Sequence, residues 1–169
     1  MSSLTLHLQD FFPASILNAS EHSRLLEKFN QVIARPDVGF FRHTHDKSVA
    51  TASKTIARRF AHKKLLVHVG IGGSALGPEM LLAAMGIEKG KRVQFLNNID
   101  PEMLARQMAD WTVNDSVFYV VSKSGTTAET MAALGIIVTW LEKHGVTSAD
   151  LKEHIVLCTD PQKGELRIM

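Results

Sequence analysis

The sequence withholds disulfide chemistry first: there is one cysteine in 169 residues. A single thiol closes no bridge within the chain, which excludes a stapled secreted fold and favours a reducing compartment. Charge of one sign is also missing. The 19 Lys and Arg stand against 17 Asp and Glu, a net charge of +2, which is no footprint for nucleic acid. Apolar residues make up 45% of the chain, too many for a disordered one. Long hydrophobic runs are absent too: the apolar stretches 80–87 and 131–138 fall well short of the roughly 18 residues of a membrane span. No Lys or Arg precedes Arg24, so no basic leader is expected. No repeat or low-complexity segment is present. These absences together predict a cytoplasmic protein with no membrane and no nucleic-acid partner, with about 100–200 residues sharing one core.

What is there changes character along the chain. Phe11-Phe12-Pro13 breaks any pattern at the start. Ser20 as cap and Glu21 in the first turn then predict a helix, with Leu25, Leu26, Phe29, Val32 and Ile33 on one face and Pro36 ending it. After a loop through Gly39 and His45, Asp46 caps a second predicted helix, whose inner side is Val49, Ala52, Ile56, Ala57 and Phe60. From residue 64 strands and helices alternate. Strands are predicted at 65–69, 93–96, 117–121 and 155–158. Helices are predicted at 76–87, after the cap Asp100 with Pro101, and from a Thr126/Glu129 capping box to about Lys143. Met131, Leu134, Val138 and Leu141 line the last of these. The pattern has no hairpin signal, so the fold class is α/β: a doubly wound parallel sheet between helical layers, an αβα sandwich preceded by helices. After Asp160-Pro161 another helix starts just where the sequence stops. A sheet with an open last edge leaves backbone unpaired, so the chain is expected to be part of a longer polypeptide.

Two segments suit a phosphate. Gly70-Ile71-Gly72-Gly73-Ser74-Ala75-Leu76-Gly77-Pro78 follows a buried strand and opens a helix, whose free N–H groups and positive dipole end favour an anion. Gly70, Gly72 and Ala75 also satisfy the first part of the dinucleotide pattern. The acidic residue expected about 20 positions on is replaced by Lys91, Arg92 and Asn97. No Gly-Lys-Ser/Thr follows either, so the Walker pattern fails. The second segment, Ser122-Lys123-Ser124-Gly125-Thr126-Thr127, crowds hydroxyls and an amine at another helix start. Each loop taken alone is also explained by a tight turn or by capping. Position favours binding. In a sheet of order 2-1-3-4 the first and third strands are neighbours where the winding reverses, and ligands sit at their carboxyl ends. Both loops follow those strands, and neither supplies a carboxylate for proton transfer.

The stretch 69–78 resembles the glycine signature of the glucose-6-phosphate isomerases, and 122–130 and Asn98-Ile99-Asp100 are similar to the family as well. The hydroxyl loop alone points only to the wider sugar isomerase (SIS) domain family. The resemblance covers about residues 38–169. It implies a helical segment 1–62 followed by a SIS domain 63–169, with sheet order 2-1-3-4-5 and a fifth strand beyond this chain. It implies sugar-phosphate contacts from Gly73 and Ser74, and from a phosphate loop of Ser122, Lys123, Ser124, Gly125, Thr126 and Thr127. It further implies interconversion of glucose 6-phosphate and fructose 6-phosphate through an enediolate, in glycolysis and gluconeogenesis, by a homodimer with no metal or organic cofactor. Ala75 stands where many members have Asp, and Gly125 where many have an aromatic residue, as in shorter bacterial enzymes. The family's catalytic Glu, His, Lys and Arg lie further along longer chains. No residue here sits in a matching catalytic motif, so no catalytic residue is assigned and the chain alone is expected to bind without isomerising. A non-catalytic sugar-phosphate sensor built on the same fold is the alternative, and dinucleotide binding is a third reading.

The remaining candidates read as structure. His43 and His45 have Asp46 beside them, but no Cys cluster or second His motif supports a metal site, so a solvated loop is expected. Cys158 is expected in the core, Arg58-Arg59 to Lys63-Lys64 as a solvated helix end, and Trp111 and Trp140 as packing residues.

Overall fold

A computed structural model describes residues 18–37 and 46–167. The Phe11–Pro13 break, the loop at Gly39 and the His43/His45 pair lie outside the described residues. Contacts gather into two compact units that divide between Thr55 and Ile56.

In the first unit, α1 (Ala19–Ala34) is capped by Asn18, whose side chain accepts from the Glu21 N–H at 2.9 Å. The expected cap, Ser20, instead donates to Asn18 Oδ1 at 2.7 Å. An amide oxygen one residue outside the helix reaches the third N–H, which a hydroxyl inside the first turn does not. α2 (Lys47–Arg59), whose residues from Ile56 on belong to the second unit, starts as expected at Asp46, which accepts from the Ser48 N–H at 2.8 Å. The apolar faces assigned to these helices are largely exposed: Leu25, Leu26, Phe29, Val32, Val49 and Ile56 all exceed two-fifths exposure, and only Phe60, just past α2, is buried. Periodicity marks a face that favours cover without saying what covers it.

The second unit holds the sheet. β1 (Leu65–Val69), β2 (Arg92–Leu96), β3 (Ser116–Ser122) and β4 (Ile155–Thr159) lie in the order β2-β1-β3-β4, all parallel. Connecting them are α3 (Gly73–Met85), α4 (Pro101–Met108) and α5 (Ala128–Lys143). Two short 3-10 turns, Leu151–Glu153 and Glu165–Arg167, flank β4. Asp100 caps α4 by accepting from the Met103 N–H at 2.8 Å, with Pro101 first in the helix as predicted.

Register assigns the two faces of the sheet. Val67 pairs with Gln94 and Phe118, and Val69 with Leu96 and Val120, so these residues share a face. That face carries the core: Val67, Phe118 and Val120 are fully buried against α5 residues Ala133, Leu134, Ile137 and Leu141. The inner line of α5 therefore runs through Thr130, Ala133, Leu134, Ile137 and Leu141, with the expected Met131 and Val138 at its partly buried margin. Trp111 meets Phe118 and Trp140 edge-on at 4.9 and 5.6 Å, a packing role as expected. The opposite face carries His68, Phe95 and Tyr119 in one row. Here Cys158 is exposed, which corrects its placement in the core. Among the described strands β4 has one neighbour, β3, so an apolar run on it does not guarantee burial. Lys63 is corrected in the other sense. It is buried, with Nζ donating to the Val113 carbonyl at 3.0 Å, and burial lowers its pKa.

Candidate functional site

β1 and β3 are adjacent, and parallel neighbours lie about 4.8 Å apart. The loops leaving their carboxyl ends therefore start side by side, at the point where the winding reverses.

The glycine loop turns on Gly72, whose φ of +56° puts it in the left-handed region. Its carbonyl accepts from both Ala75 N–H (3.0 Å) and Leu76 N–H (2.9 Å), which starts α3 at Gly73, three residues earlier than expected. Among the described residues, the Gly72 and Gly73 N–H groups donate to no acceptor, and both residues are exposed. Two free amides at a helix start are what an anion takes up. Gly70 is buried, and a Cβ there would meet the Ser74 Cβ at 3.0 Å. Glycine at that position lets the strand end and the first helical turn close on one another.

The hydroxyl loop is built differently. Ser122 ends β3 fully buried, and its Oγ accepts from the Gly125 N–H at 3.1 Å. Gly125 has φ +67° and is itself buried. Ser124 Oγ accepts from the Thr126 N–H at 3.2 Å and from the Thr126 hydroxyl at 3.1 Å. The Thr126/Glu129 capping box does not form. Thr127 is the residue before α5, and its hydroxyl makes no cap bond, lying instead 3.0 Å from Ser122 Oγ and 3.5 Å from Ser124 Oγ. The hydroxyls thus bond one another and leave the N-terminal amides of α5 without a side-chain cap. Lys123 is exposed and makes no ion pair among the described residues.

Of the expected site residues, Ser122 and Gly125 are buried and shape the loop. Gly73, Lys123, Ser124 and Thr126 are exposed, and Ser74 and Thr127 half-buried. Asn97 and Asn98 follow β2, where Asn97 donates to Glu79 at 2.8 Å. No group of three or more metal-ligating side chains occurs among the described residues.

Sequence reasoning missed what braces the hydroxyl loop. Past Asp160, whose carboxylate accepts from the Gln162 and Lys163 N–H groups, the chain folds back over it. The Leu166 N–H donates to the Gly125 carbonyl at 3.2 Å, and the Leu166 side chain is buried in the core. A Cβ on Gly125 would lie 2.9 Å from the Gly164 Cα, and one on Gly164 would overlap the Ser124 carbonyl oxygen. The available signal was a glycine two residues before a leucine, in a segment read only as a helix start.

Fold and site together define a doubly wound α/β protein with a glycine loop and a hydroxyl loop paired at its switch point. Residues 46–166 match the family model of phosphoglucose isomerase, and the chain belongs to that family. It is 34% identical over 163 residues to a glucose-6-phosphate isomerase of Thermus thermophilus, covering 93% of this chain and 39% of that relative. Among solved structures it is similar to a hypothetical protein, also from Thermus thermophilus, with a TM-score of 0.79 and 32% identity over 94% of this chain and 38% of that one. A glucose-6-phosphate isomerase from Chlamydia trachomatis superposes with a TM-score of 0.63 and 30% identity, over 76% of this chain and 25% of that one. The chain thus spans under two-fifths of these relatives.

Proposed function

We propose that this chain is the phosphate-anchoring part of a glucose-6-phosphate isomerase, which interconverts glucose 6-phosphate and fructose 6-phosphate through an enediolate in glycolysis and gluconeogenesis. One observation carries the reading. In a member of the phosphoglucose isomerase family, two loops suited to a phosphate leave the carboxyl ends of neighbouring strands at the switch point. Gly73 and Ser74 supply one side of the anchor, and Lys123, Ser124, Thr126 and Thr127 the other, on a frame set by Ser122 and Gly125.

Anchoring a remote phosphate contributes to turnover only when the reacting carbons also meet an acid or base. Neither loop holds a carboxylate, so these 169 residues alone bind the sugar phosphate without isomerising it. The working enzyme in this proposal is a cytoplasmic homodimer that needs no metal or organic cofactor. Its SIS domain begins at residue 63, after a helical segment 1–62. For the described residues, no helix is long and apolar enough to cross a membrane.

Thermal unfolding with added ligands tests the reading. Glucose 6-phosphate and 6-phosphogluconate are expected to raise Tm, while glucose and NAD leave it unchanged. Stabilisation by NAD alone would point to a dinucleotide site. Normal isomerase turnover by the isolated chain would overturn the division between anchor and chemistry.

A further inference from the structure

Pro78 lies inside α3 and has no N–H to offer the carbonyl four residues before it, which belongs to Ser74. In most helices such a carbonyl turns to water. Here it meets His68, whose Nε2 lies 2.7 Å from the Ser74 oxygen. A carbonyl only accepts, so the proton of this bond sits on Nε2 of the imidazole.

The ring is held firmly from the sheet side. His68 is 4% exposed in β1, and register places it between Phe95 and Tyr119 of the flanking strands. Its ring centroid lies 5.1 Å from that of Phe95 and 5.3 Å from that of Tyr119. Ser74 is the second residue of α3 and is in contact range of Gly70. The first turn of α3 is therefore fastened to β1 through a side-chain bond, at the place where its own ladder is interrupted.

We propose that His68 is a positioning residue for the glycine loop. Its Nε2–H holds the Ser74 carbonyl, and so fixes where the Ser74 side chain and the free Gly72 and Gly73 amides stand toward a phosphate. The ligand half of this statement rests on the sugar-phosphate reading above; the structural half does not. A buried histidine that only filled space would be replaced equally well by any side chain of similar size. A positioning donor is replaced only by another donor that reaches the same point, as the Gln side-chain amide does.

The test compares His68→Leu with His68→Gln by two readouts. In the ligand-free chain, hydrogen exchange at residues 74–76 is expected to speed up in His68→Leu and to stay near the parent rate in His68→Gln. In calorimetric titration with glucose 6-phosphate, His68→Leu is expected to lose about tenfold in affinity and His68→Gln no more than about threefold. Equal exchange and equal affinity in the two variants would overturn the positioning role. Should His68→Leu fail to fold, nitrogen-15 NMR of the parent decides: a proton on Nε2 supports the assignment, and a bare Nε2 overturns it. A parent chain that binds no glucose 6-phosphate overturns the sugar-phosphate reading, while the exchange result still decides the role of His68.

Discussion

The two ends of the sheet are built from different chemistry. At the amino end, charges are matched to partners: Arg59 to Glu153 at 2.9 Å, Lys64 to Asp115 at 3.3 Å and Arg92 to Asp110 at 3.2 Å. Lys63 is buried on the Val113 carbonyl, and Lys91 donates to the Ala61 and Lys63 carbonyls. At the carboxyl end, glycines, hydroxyls and free amides replace these pairs, and the cation in the loops, Lys123, has no carboxylate beside it. The amino end uses its charges on its own chain, whereas the carboxyl end, in the proposed reading, leaves Lys123 and free amides for an anion from outside. On that reading stability and recognition are separated by the length of a strand, and most substitutions at one end should leave the other's property alone.

The hardest blow to that separation falls at Gly164, where a side chain disturbs both properties. Its φ of +92° strains any L residue, and a Cβ overlaps the Ser124 carbonyl. Gly164→Ala is expected to cost about 3 kcal/mol of stability in urea unfolding and most of the sugar-phosphate affinity. Ser124→Ala and Thr127→Ala sharpen the contrast, since each is expected to weaken glucose 6-phosphate binding by about 1–3 kcal/mol in calorimetry. Unchanged affinity in both would remove the hydroxyl loop from the site.

The amino end is read by pH. Burial, and then the nearby charge of Lys63, hold the His154 imidazole below its ordinary 6.5, against smaller opposing effects of Glu153 and Asp150. The unfolded chain takes up that proton first, so stability is full above pH 6.5 and falls as pH drops through the lower folded value. His154→Gln is expected to flatten this acid slope. Lys63→Met is expected to move the His154 titration upward in proton NMR, with glucose 6-phosphate affinity unchanged. The smallest effect belongs to the Arg59–Glu153 pair, which is about half exposed. Arg59→Ala should change unfolding free energy by under about 1 kcal/mol, even though its guanidinium also reaches the Lys152 carbonyl.

The sheet was legible because its signals are local and repeated. Buried β1 and β3 are apolar runs, each ended by a turn-forming segment, and Asp100-Pro101 marks a helix start that the structure bears out. The switch point followed from strand order, which constrains loops by topology alone. What stayed illegible depends on contacts between distant residues. Thr126 and Glu129 have capping-box spacing, yet the Thr127 hydroxyl turns to Ser122 instead. Cys158 sits in an apolar run, but its exposure depends on what packs against β4, which the run does not report. His68 carries no motif, and its bond to Ser74 emerges only when Pro78 is seen to leave that carbonyl without its helical partner. The hold of Leu166 on Gly125 spans about forty residues, farther than any capping or periodicity rule reaches.

The back-to-back glycines have a consequence for how this sequence can change. A methyl group at Gly125 or at Gly164 pushes into the same narrow space between loop and returning chain. Once one of them has forced that space open, the second meets less resistance, so the harm of the pair is smaller than the sum of its parts. On any path that replaces both glycines one at a time, the second replacement is therefore milder than the same replacement made alone. That coupling ties the hydroxyl loop to a distant segment of the chain.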